Sequence, residues 1–266
     1  MLEKSREYSR LEIYTIASSV LNKPREWLIT RDDLPLTPSQ VEVLQFKVNQ
    51  LISGIPLPYI INRQAFYGLE FFITPNVLIP RPETELLVET AIDWLREHPG
   101  ARTMIDVGTG SANIPIAIVD NIPDLVATAI DLSDKALEVA LKNIEQYELQ
   151  PKVILLKNDL LTGLELKADL ITANLPYIPR DRLPNLDVSR YEPHVALDGG
   201  EDGFAIIRKL IAQLPDHLNP GGLALLEIDN SHADLCIYES SKIMTSATIS
   251  VINDLANLSR LLVIQL

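Results

Sequence analysis

Apolar residues recur at helical spacing in the first sixty positions of the chain. One face comprises Leu11, Tyr14, Ala17, Ser18 and Leu21, and a second comprises Val41, Leu44, Val48 and Leu51. The second segment begins after Thr37-Pro38 and ends near Gly54 and Pro56, which are start and stop signals for a helix. The pattern predicts a small helical bundle that packs on itself, as a domain over residues 1–62.

The pattern changes between residues 64 and 78, where aromatic and β-branched residues become dense. They are Phe66, Tyr67, Phe71, Phe72, Ile73 and Val77. Gly68 and the Pro75-Asn76 pair interrupt the run, as turn residues do between paired strands. A β-hairpin is therefore predicted, and residues 63–80 are expected to connect the helical domain to the rest of the chain.

Beyond residue 100 the chain alternates short apolar runs with amphipathic segments. Strands are predicted at 103–107, 126–130, 153–156, 170–173 and 223–228. Helices are predicted up to Asn121, from a cap at Ser133 through Tyr147, and from about Gly203 to His217. This alternation favours an α/β domain over residues 81–266, with a mostly parallel sheet and helices on both faces. Ligands of such sheets bind beyond the carboxyl ends of the strands.

Composition and charge narrow the class of protein. The 266 residues are 47% hydrophobic, which is enough for a sizeable core. Lys and Arg total 23 against 36 Asp and Glu, so the net charge is −13. Because binding to a polyanion draws most of its affinity from basic surface, this balance counts against a general nucleic-acid binder.

Cysteine and histidine are scarce. Cys236 alone cannot form an intrachain disulfide, and one cysteine with four histidines makes no recognisable zinc site, so no metal is predicted. The charged segment from Met1 to Glu7 lacks the apolar core of a signal peptide. No stretch approaches the roughly 20 apolar residues that are needed to cross a bilayer. A cytoplasmic protein that does not engage membranes is expected.

A loop with alternating glycines follows the predicted strand 103–107. It reads Asp106-Val107-Gly108-Thr109-Gly110-Ser111-Ala112, and glycines at such a turn let the backbone approach a ligand closely. A dinucleotide site needs a third glycine at position 113, which is Asn. An alternating acidic-x-Gly-x-Gly-x-Gly loop, here with Ala112 in the last place, is instead typical of S-adenosylmethionine enzymes. The predicted cofactor residues of this loop are Gly108, Thr109, Gly110, Ser111 and Ala112.

Two acidic residues at the ends of later strands extend this predicted site. Asp131 ends the second strand, where a carboxylate can accept hydrogen bonds from both ribose hydroxyls. Asp159 follows the third strand and, with the backbone of Leu160, is predicted to contact the adenine edge. Turn roles stay open for both, a helix-capping turn before Ser133 for Asp131 and a plain turn for Asp159.

The tetrapeptide Asn174-Leu175-Pro176-Tyr177 closes the strand 170–173 and suits methylation of a planar, weakly nucleophilic NH2 group. Asn174 offers a side-chain carbonyl, and the backbone of Leu175 or Pro176 offers a second acceptor. Pro176 restricts the backbone and Tyr177 can lie against a flat target. Asn174, Pro176 and Tyr177 are the predicted catalytic residues, and Asn174 is also assigned to the cofactor. An ordinary strand-to-loop turn is the alternative interpretation.

Further segments carry a resemblance to a known family. They are Pro58-Tyr59-Ile60, Ile79-Pro80-Arg81-Pro82-Glu83-Thr84-Glu85, Arg190-Tyr191-Glu192-Pro193, Ala196-Leu197, Gly199-Gly200-Glu201-Asp202-Gly203 and Asp254-Leu255 with Arg260. Together with the tetrapeptide, they resemble the protein N5-glutamine methyltransferases that modify peptide-chain release factors, the HemK-like family. The likeness extends from about residue 56 to the C-terminus.

The resemblance implies a class I S-adenosylmethionine-dependent methyltransferase fold, which is Rossmann-like, with an N-terminal domain that recognises the substrate. It implies that Gly108, Gly110 and Asp131 bind S-adenosylmethionine, with S-adenosylhomocysteine as product. Residues 174–177 are then expected to hold the glutamine of a Gly-Gly-Gln loop. A release factor is the expected partner, with no direct nucleic-acid substrate, and the chain is expected to be a monomer.

The same resemblance puts Arg81 and Glu83 near the mouth of the site. They are expected either to contact the substrate or to form an ion pair that fixes the hairpin to the catalytic domain.

The chain departs from the family pattern in four places. Leu175 replaces the first proline of the usual N-P-P-Y, and Ala112 replaces the third glycine of the cofactor loop. The segment Glu227-Ile228-Asp229 lacks the usual glycine. Asn257 stands where the C-terminal motif usually has glycine, although Asn tolerates the left-handed conformation better than most residues.

Two other functions stay open. Asn-Leu-Pro-Tyr also resembles the tetrapeptide of ribosomal-RNA adenine dimethylases, so an adenine N6-methyltransferase acting on RNA or DNA is the main alternative. The net charge of −13 and residues 79–85 disfavour it. Ala112 and Leu175 motivate a non-enzymatic alternative, a degenerate methyltransferase kept as a binding scaffold.

Overall fold

The computed structural model describes residues 9–31 and 33–266, and its contacts divide the chain into two units that meet between Arg63 and Gln64. The described part of the first unit contains the helices α1 (Arg10–Leu21), α2 (Arg25–Ile29), α3 (Pro38–Ile52) and α4 (Leu57–Ile61). Ser9 and Thr37 cap α1 and α3, each in a reciprocal pair with the residue three positions on. The helix predicted after Thr37-Pro38 is therefore confirmed.

The small core of this unit contains Ile16, Leu51 and Ile60, with Leu44 and Val48 packed against them. The predicted face of α3 is confirmed for Leu44, Val48 and Leu51. The predicted face of α1 is wrong for Leu11, which is 53% exposed whereas Ile16 is fully buried. Tyr14, Ala17 and Leu21 of that face are half-buried and line a cavity together with Leu28 and Leu44. Helix α1 contacts α2, α3 and α4. Its buried surface is therefore not the single face that helical spacing alone predicts.

Two short strands, β1 (Arg63–Phe66) and β2 (Leu69–Phe72), form the predicted hairpin. The turn residues Tyr67 and Gly68 have φ values of 48° and 76°, both left-handed, as a two-residue turn of type I′ requires. The strands end at Phe72, well before the predicted limit of 78, and a turn closed by Thr74 and Val77 follows.

A seven-stranded sheet dominates the second unit. Its strands are β3 (Thr103–Val107), β4 (Val126–Asp131), β5 (Val153–Lys157), β6 (Ala168–Ala173), β7 (Leu218–Glu227), β8 (Thr248–Asn253) and β9 (Ser259–Gln265). The order is β5-β4-β3-β6-β7-β9-β8, with β9 antiparallel to both of its neighbours and the other pairs parallel. The prediction of a mostly parallel sheet is confirmed. Asn257, in the turn between β8 and β9, has φ 61° and so adopts the left-handed conformation expected for this replacement of glycine.

Five helices flank this sheet. They are α5 (Glu85–Glu97), α6 (Asn113–Asn121), α7 (Asp134–Gln146), α8 (Ala205–His217) and α9 (Ala233–Ile243). Helix α6 contacts both α5 and α7, and α8 contacts α9, so the five helices form two groups against the sheet. The Ser133 Oγ atom accepts a hydrogen bond from the Ala136 N–H at 3.3 Å, which confirms the predicted cap of α7. No helix in residues 9–31 and 33–266 combines the length and apolar composition needed to cross a membrane.

The sheet order reverses at β3, which pairs with β4 on one side and β6 on the other. A crevice opens at the carboxyl ends of the strands at such a point. The loops after β3, β4, β5 and β6 all meet there, and these loops carry most of the residues predicted for the site.

Candidate active site

A cleft lies at this edge of the sheet, and most of the predicted site residues line it. The predicted residues in its wall are Arg81, Gly108, Thr109, Gly110, Ser111, Asp131, Asp159, Leu160, Asn174, Leu175 and Pro176. Ala112, Tyr177 and Glu83 do not reach the wall. Residues not predicted for the site, among them Thr84, Asn113, Val195, Ala196 and Ile206, complete it.

The loop after β3 is fixed by its backbone. The N–H groups of Gly108 and Thr109 donate to the carbonyl of Ile130 at 2.8 and 2.9 Å, which ties the loop to the end of β4. Ala112 is buried as the residue that precedes α6 and has φ 61°, a conformation that costs a non-glycine residue about 1 kcal/mol. The alanine thus adopts the backbone form of the glycine it replaces, and Asn113 takes the next place in the cleft wall.

Asp106 lies beneath this loop and is fully buried. Its Oδ1 atom accepts a hydrogen bond from the Thr172 hydroxyl at 2.7 Å. Its Oδ2 atom and the Oγ1 atom of Thr109 are both buried. Burial raises the pKa of the Asp106 carboxyl to about 6; the hydroxyls of Thr109 and Thr172 oppose this rise by hydrogen bonding, and the nearby Asp131 charge adds to it.

Asp131 holds the same loop from the end of β4. Its carboxylate accepts hydrogen bonds from the N–H groups of Gly110 and Ser133, each at 2.9 Å. Burial raises the pKa of Asp131, while these two backbone donors oppose the rise. Asp159 is exposed after β5, and Leu160 beside it has φ 52°.

These groups fit an S-adenosylmethionine ligand. The carboxylates of Asp131 and Asp159 stand in the wall of the cleft, and a Cβ added to Gly110 would meet no atom within 4 Å. Carboxylates that face a cleft favour a ligand with cationic and hydroxyl groups. The alternating-glycine loop therefore offers both the space and the acceptors that such a ligand needs.

The tetrapeptide after β6 lies directly against the cofactor loop. A Cβ built on Gly108 would lie 2.8 Å from the Cδ2 atom of Leu175 and 3.9 Å from the carbonyl oxygen of Asn174. Leu175 is 5% exposed, so its side chain fills the space over Gly108. The residue that replaces the usual proline is thus part of the packing between the two loops.

Two hydrogen bonds run from the tetrapeptide into the protein behind it. The Nδ2 atom of Asn174 donates to Oγ1 of Thr84 at 3.1 Å, and the Tyr177 hydroxyl donates to Oε1 of Glu227 at 3.4 Å. Burial raises the pKa of Tyr177, and the Glu227 charge raises it further. Glu227 therefore orients Tyr177, and the packing of Tyr177 against a flat target stays a prediction.

Glycines hold the chain that follows the tetrapeptide. A Cβ on Gly203 would lie 2.6 Å from the carbonyl oxygen of Tyr177, and one on Gly199 would lie 2.8 Å from its Cα. The N–H of Ile178 donates to the Leu197 carbonyl at 3.2 Å. The glycine-containing segment 199–203 thus allows an approach that larger residues would block.

Arg81 forms an ion pair with Glu192, a residue that is 4% exposed. The second carboxylate oxygen of Glu192 accepts from the N–H of Ile79 at 3.1 Å. Arg81 is therefore paired with a residue of the segment Arg190-Tyr191-Glu192-Pro193, which supports the ion-pair interpretation. Arg81 also lines the cleft. Glu83 is exposed.

Sequence reasoning missed the supporting roles of Thr84, Glu227 and Asn143. Thr84 and Glu227 lie in segments that the sequence analysis named. Nothing in the sequence indicates that these two residues form a hydrogen bond with each other, because they are far apart along the chain. Asn143 is fully buried in α7, where an apolar face is expected, and an asparagine in that place was the available signal.

Comparisons with known proteins agree with this geometry. Residues 1–61 match the family described as PrmC N-terminal domain, and residues 84–179 match the family described as ribosomal protein L11 methyltransferase (PrmA). The release factor glutamine methyltransferase of Geobacter sulfurreducens is 36% identical over 237 residues, covering 88% of this chain and 82% of that protein. The protein of the same name from Koribacter versatilis is 35% identical over 258 residues, covering 96% and 90%.

A solved structure agrees at the level of the fold. A methyltransferase from Pyrococcus furiosus superposes with a TM-score of 0.55 at 20% identity, covering 83% of this chain and 96% of that chain. At this identity the match speaks for the fold alone, and it confirms the predicted class I methyltransferase architecture.

Proposed function

Because the chain belongs to the release factor glutamine methyltransferase family, we propose that it methylates the side-chain amide nitrogen of a glutamine in the Gly-Gly-Gln loop of a peptide-chain release factor. The methyl donor is S-adenosylmethionine. The observation that supports this most strongly is the contact between Gly108 and Leu175, because it puts the backbone of Asn174 beside the cofactor loop in the same cleft wall.

When bound, S-adenosylmethionine supplies an electrophilic methyl group on a sulfonium sulfur. The residues that would hold it are the backbone of 108–111 and the carboxylates of Asp131 and Asp159, which line one side of the cleft.

The task of the protein is to present a poorly nucleophilic nitrogen. An amide NH2 has a delocalised lone pair and two protons, so acceptors must hold both protons. Asn174 provides a side-chain carbonyl, and the backbone at Leu175 or Pro176 provides a second acceptor. These acceptors strengthen their hydrogen bonds as positive charge develops on the NH2 group, which stabilises the transition state. A strong base is not needed beforehand, because an alkylated amide nitrogen becomes very acidic and loses its proton afterwards.

We assign recognition of the release factor to the first unit. The match of residues 1–61 to the PrmC N-terminal domain supports this assignment. With a translation factor as substrate, the expected location is the cytoplasm, and the expected active form is the monomer.

The test is methyl transfer in solution. The full chain is incubated with labelled S-adenosylmethionine and, in parallel, with a release factor, its loop Gln→Ala variant, and ribosomal RNA. The product is mapped by mass spectrometry. We expect one methyl group on the loop glutamine and none on the variant. Label on RNA instead would establish the adenine alternative, which the names of the relatives do not favour.

The role of Asn174 is tested by Asn174→Ala. Loss of one acceptor that acts in the transition state is expected to lower kcat by about 10²-fold. Binding of S-adenosylhomocysteine, measured by calorimetry, is expected to persist. The matched control is Asn121→Ala in α6, whose amide donates to the Ala117 carbonyl at 2.9 Å and which is expected to leave kcat unchanged. A fully active Asn174→Ala enzyme would show that the assignment is wrong.

A further inference from the structure

Two buried polar residues stand behind the tetrapeptide. Thr84, at the end of a single 3-10 turn, is 1% exposed, and Glu227, at the end of β7, is 2% exposed. The Thr84 hydroxyl lies 2.7 Å from Oε2 of Glu227 and 3.1 Å from Nδ2 of Asn174. The Tyr177 hydroxyl lies 3.4 Å from the other oxygen of Glu227.

With Glu227 ionised, the number of available protons fixes the direction of every bond in this chain of contacts. An ionised carboxylate can only accept hydrogen bonds, so both hydroxyls donate to Glu227. Thr84 has a single hydroxyl proton, and once that proton is given to Glu227 its oxygen can only accept. Asn174 must therefore turn its NH2 group towards Thr84, which leaves the carbonyl oxygen Oδ1 on the other side of the planar amide.

The orientation of this amide decides whether Asn174 can serve the reaction. A carbonyl oxygen presented to a substrate NH2 accepts one of its protons. A flipped Asn174 side chain would present its own NH2 group to the substrate NH2. Two hydrogen-bond donors would then face each other without an acceptor. The two orientations have nearly the same shape, so packing alone does not distinguish them.

The charged form of Glu227 that this arrangement needs is stabilised by the hydrogen bond from Thr84, the nearby guanidinium of Arg260 and the Tyr177 hydroxyl. Burial and the Glu83 charge act against it, and the net shift of the Glu227 pKa is upward. Arg260 is itself held by Asp254, at 3.1 Å.

We propose that Thr84 and Glu227 are positioning residues that hold Asn174 with its carbonyl oxygen as the free acceptor for the substrate amide. This inference rests on the proposed glutamine methylation. It adds that the selectivity of the site for an NH2 group is set by the Thr84 hydroxyl and the Glu227 carboxylate, which act through the orientation of Asn174.

The test compares Thr84→Val, which keeps the shape and removes the hydroxyl, with Thr84→Ser, which keeps the hydroxyl. Thr84→Val is expected to lower kcat at least about tenfold while KM for the release factor and affinity for S-adenosylhomocysteine stay unchanged. Thr84→Ser is expected to recover most of the loss. Thr84→Ala serves in place of the valine variant if that variant fails to melt cooperatively.

Two controls separate positioning from general damage. Thr90→Val makes the same change in α5, where the hydroxyl donates to the Leu86 carbonyl at 2.7 Å, and is expected to leave kcat unchanged. In an Asn174→Ala background, Thr84→Val is expected to have no further effect, because the amide that it positions is gone.

Wild-type kcat in Thr84→Val, equal damage in Thr84→Ser, or a full additional loss in the Asn174→Ala background would each overturn the proposal. Nitrogen-15 NMR of the Asn174 side chain makes the test independent of substrate. Slowly exchanging NH2 protons are expected in the wild type and fast exchange in Thr84→Val. Should the wild type fail to methylate any release factor, the proposed function is wrong, and the NMR comparison still decides whether Thr84 orients Asn174.

Discussion

The pKa of the Asp106 carboxyl is higher in the folded chain than in the unfolded chain. Its ordinary pKa of 3.8 rises to about 6 because the group is buried. Between these values the folded chain holds a proton that the unfolded chain has released. The free energy of unfolding therefore falls as pH rises from about 4 to 6, by at most about 3 kcal/mol from this group.

Asp106→Asn is expected to remove this contribution to the pH dependence. The measurement is urea unfolding of both proteins at several pH values between 4 and 7. Asp120→Asn, on the exposed side of α6, is the matched removal of one charge and is expected to keep the wild-type slope. Identical slopes in wild type and Asp106→Asn would show that Asp106 is not the group that titrates.

Single residues also show which features of the site could not be predicted from the sequence. The tetrapeptide and the alternating-glycine loop are contiguous, so their chemistry could be read directly from the chain. The partners that orient them could not, because Thr84 and Glu227 come from distant segments and meet only in the folded protein. Glu83, a neighbour of Thr84 in the same motif, is exposed, and its contact with the substrate stays a prediction.

Among the elements, α7 links the hairpin to the cofactor loop through one side chain. Oδ1 of Asn143 accepts from the N–H of Phe72 at 2.7 Å, and its Nδ2 donates to the carbonyls of Phe72 and Ser111, both at 2.9 Å. Tyr147, one turn later, hydrogen-bonds the backbone of Glu70 in the same strand. The edge of β2 is thus satisfied by side chains of a helix in place of a third strand.

Asn143→Asp keeps the size of the side chain and removes both donors. Two buried carbonyls then lose their partners and a carboxylate is buried, which is expected to destabilise the fold by about 2–4 kcal/mol. Chemical denaturation followed by circular dichroism measures the loss. Asn121→Asp, which loses a single hydrogen bond near the surface, is expected to cost under about 1 kcal/mol. Equal stabilities of the two variants would contradict the role given to Asn143.

The elements were predictable where their apolar pattern was continuous. Strands β3, β4 and β6 are mostly buried and each carries a run of apolar residues, so the predicted strands fall within or coincide with the observed ones. Helix α5 was missed although Leu87, Val88, Ala91 and Ile92 follow helical spacing and are buried. The β8–β9 hairpin was also missed, because it departs from the strand-helix alternation on which the prediction was based.

At the scale of the whole molecule, the cleft and the first unit can be tested separately. The described residues that line the cleft lie between Asn76 and Ile206. A fragment of residues 63–266 keeps both hairpin strands and is expected to bind S-adenosylhomocysteine as the full chain does. Its kcat/KM for a release factor is expected to fall, since recognition is assigned to residues 1–62. Calorimetry and methylation assays measure the two properties, with a cooperative melting transition as the control. Unchanged kcat/KM in the fragment would remove the recognition role from the first unit.

The edge strand β8 has a composition that favours aggregation in concentrated solutions. Strand β8 stands last in the strand order and reads Thr248-Ile249-Ser250-Val251-Ile252-Asn253, six residues without charge, proline or glycine. Such an edge is a template for pairing with another copy of the chain, which leads to aggregation. The net charge of −13 opposes that encounter by repulsion between molecules. Colloidal stability therefore depends on the acidic surface, and acidification or high salt weakens the repulsion that protects this edge.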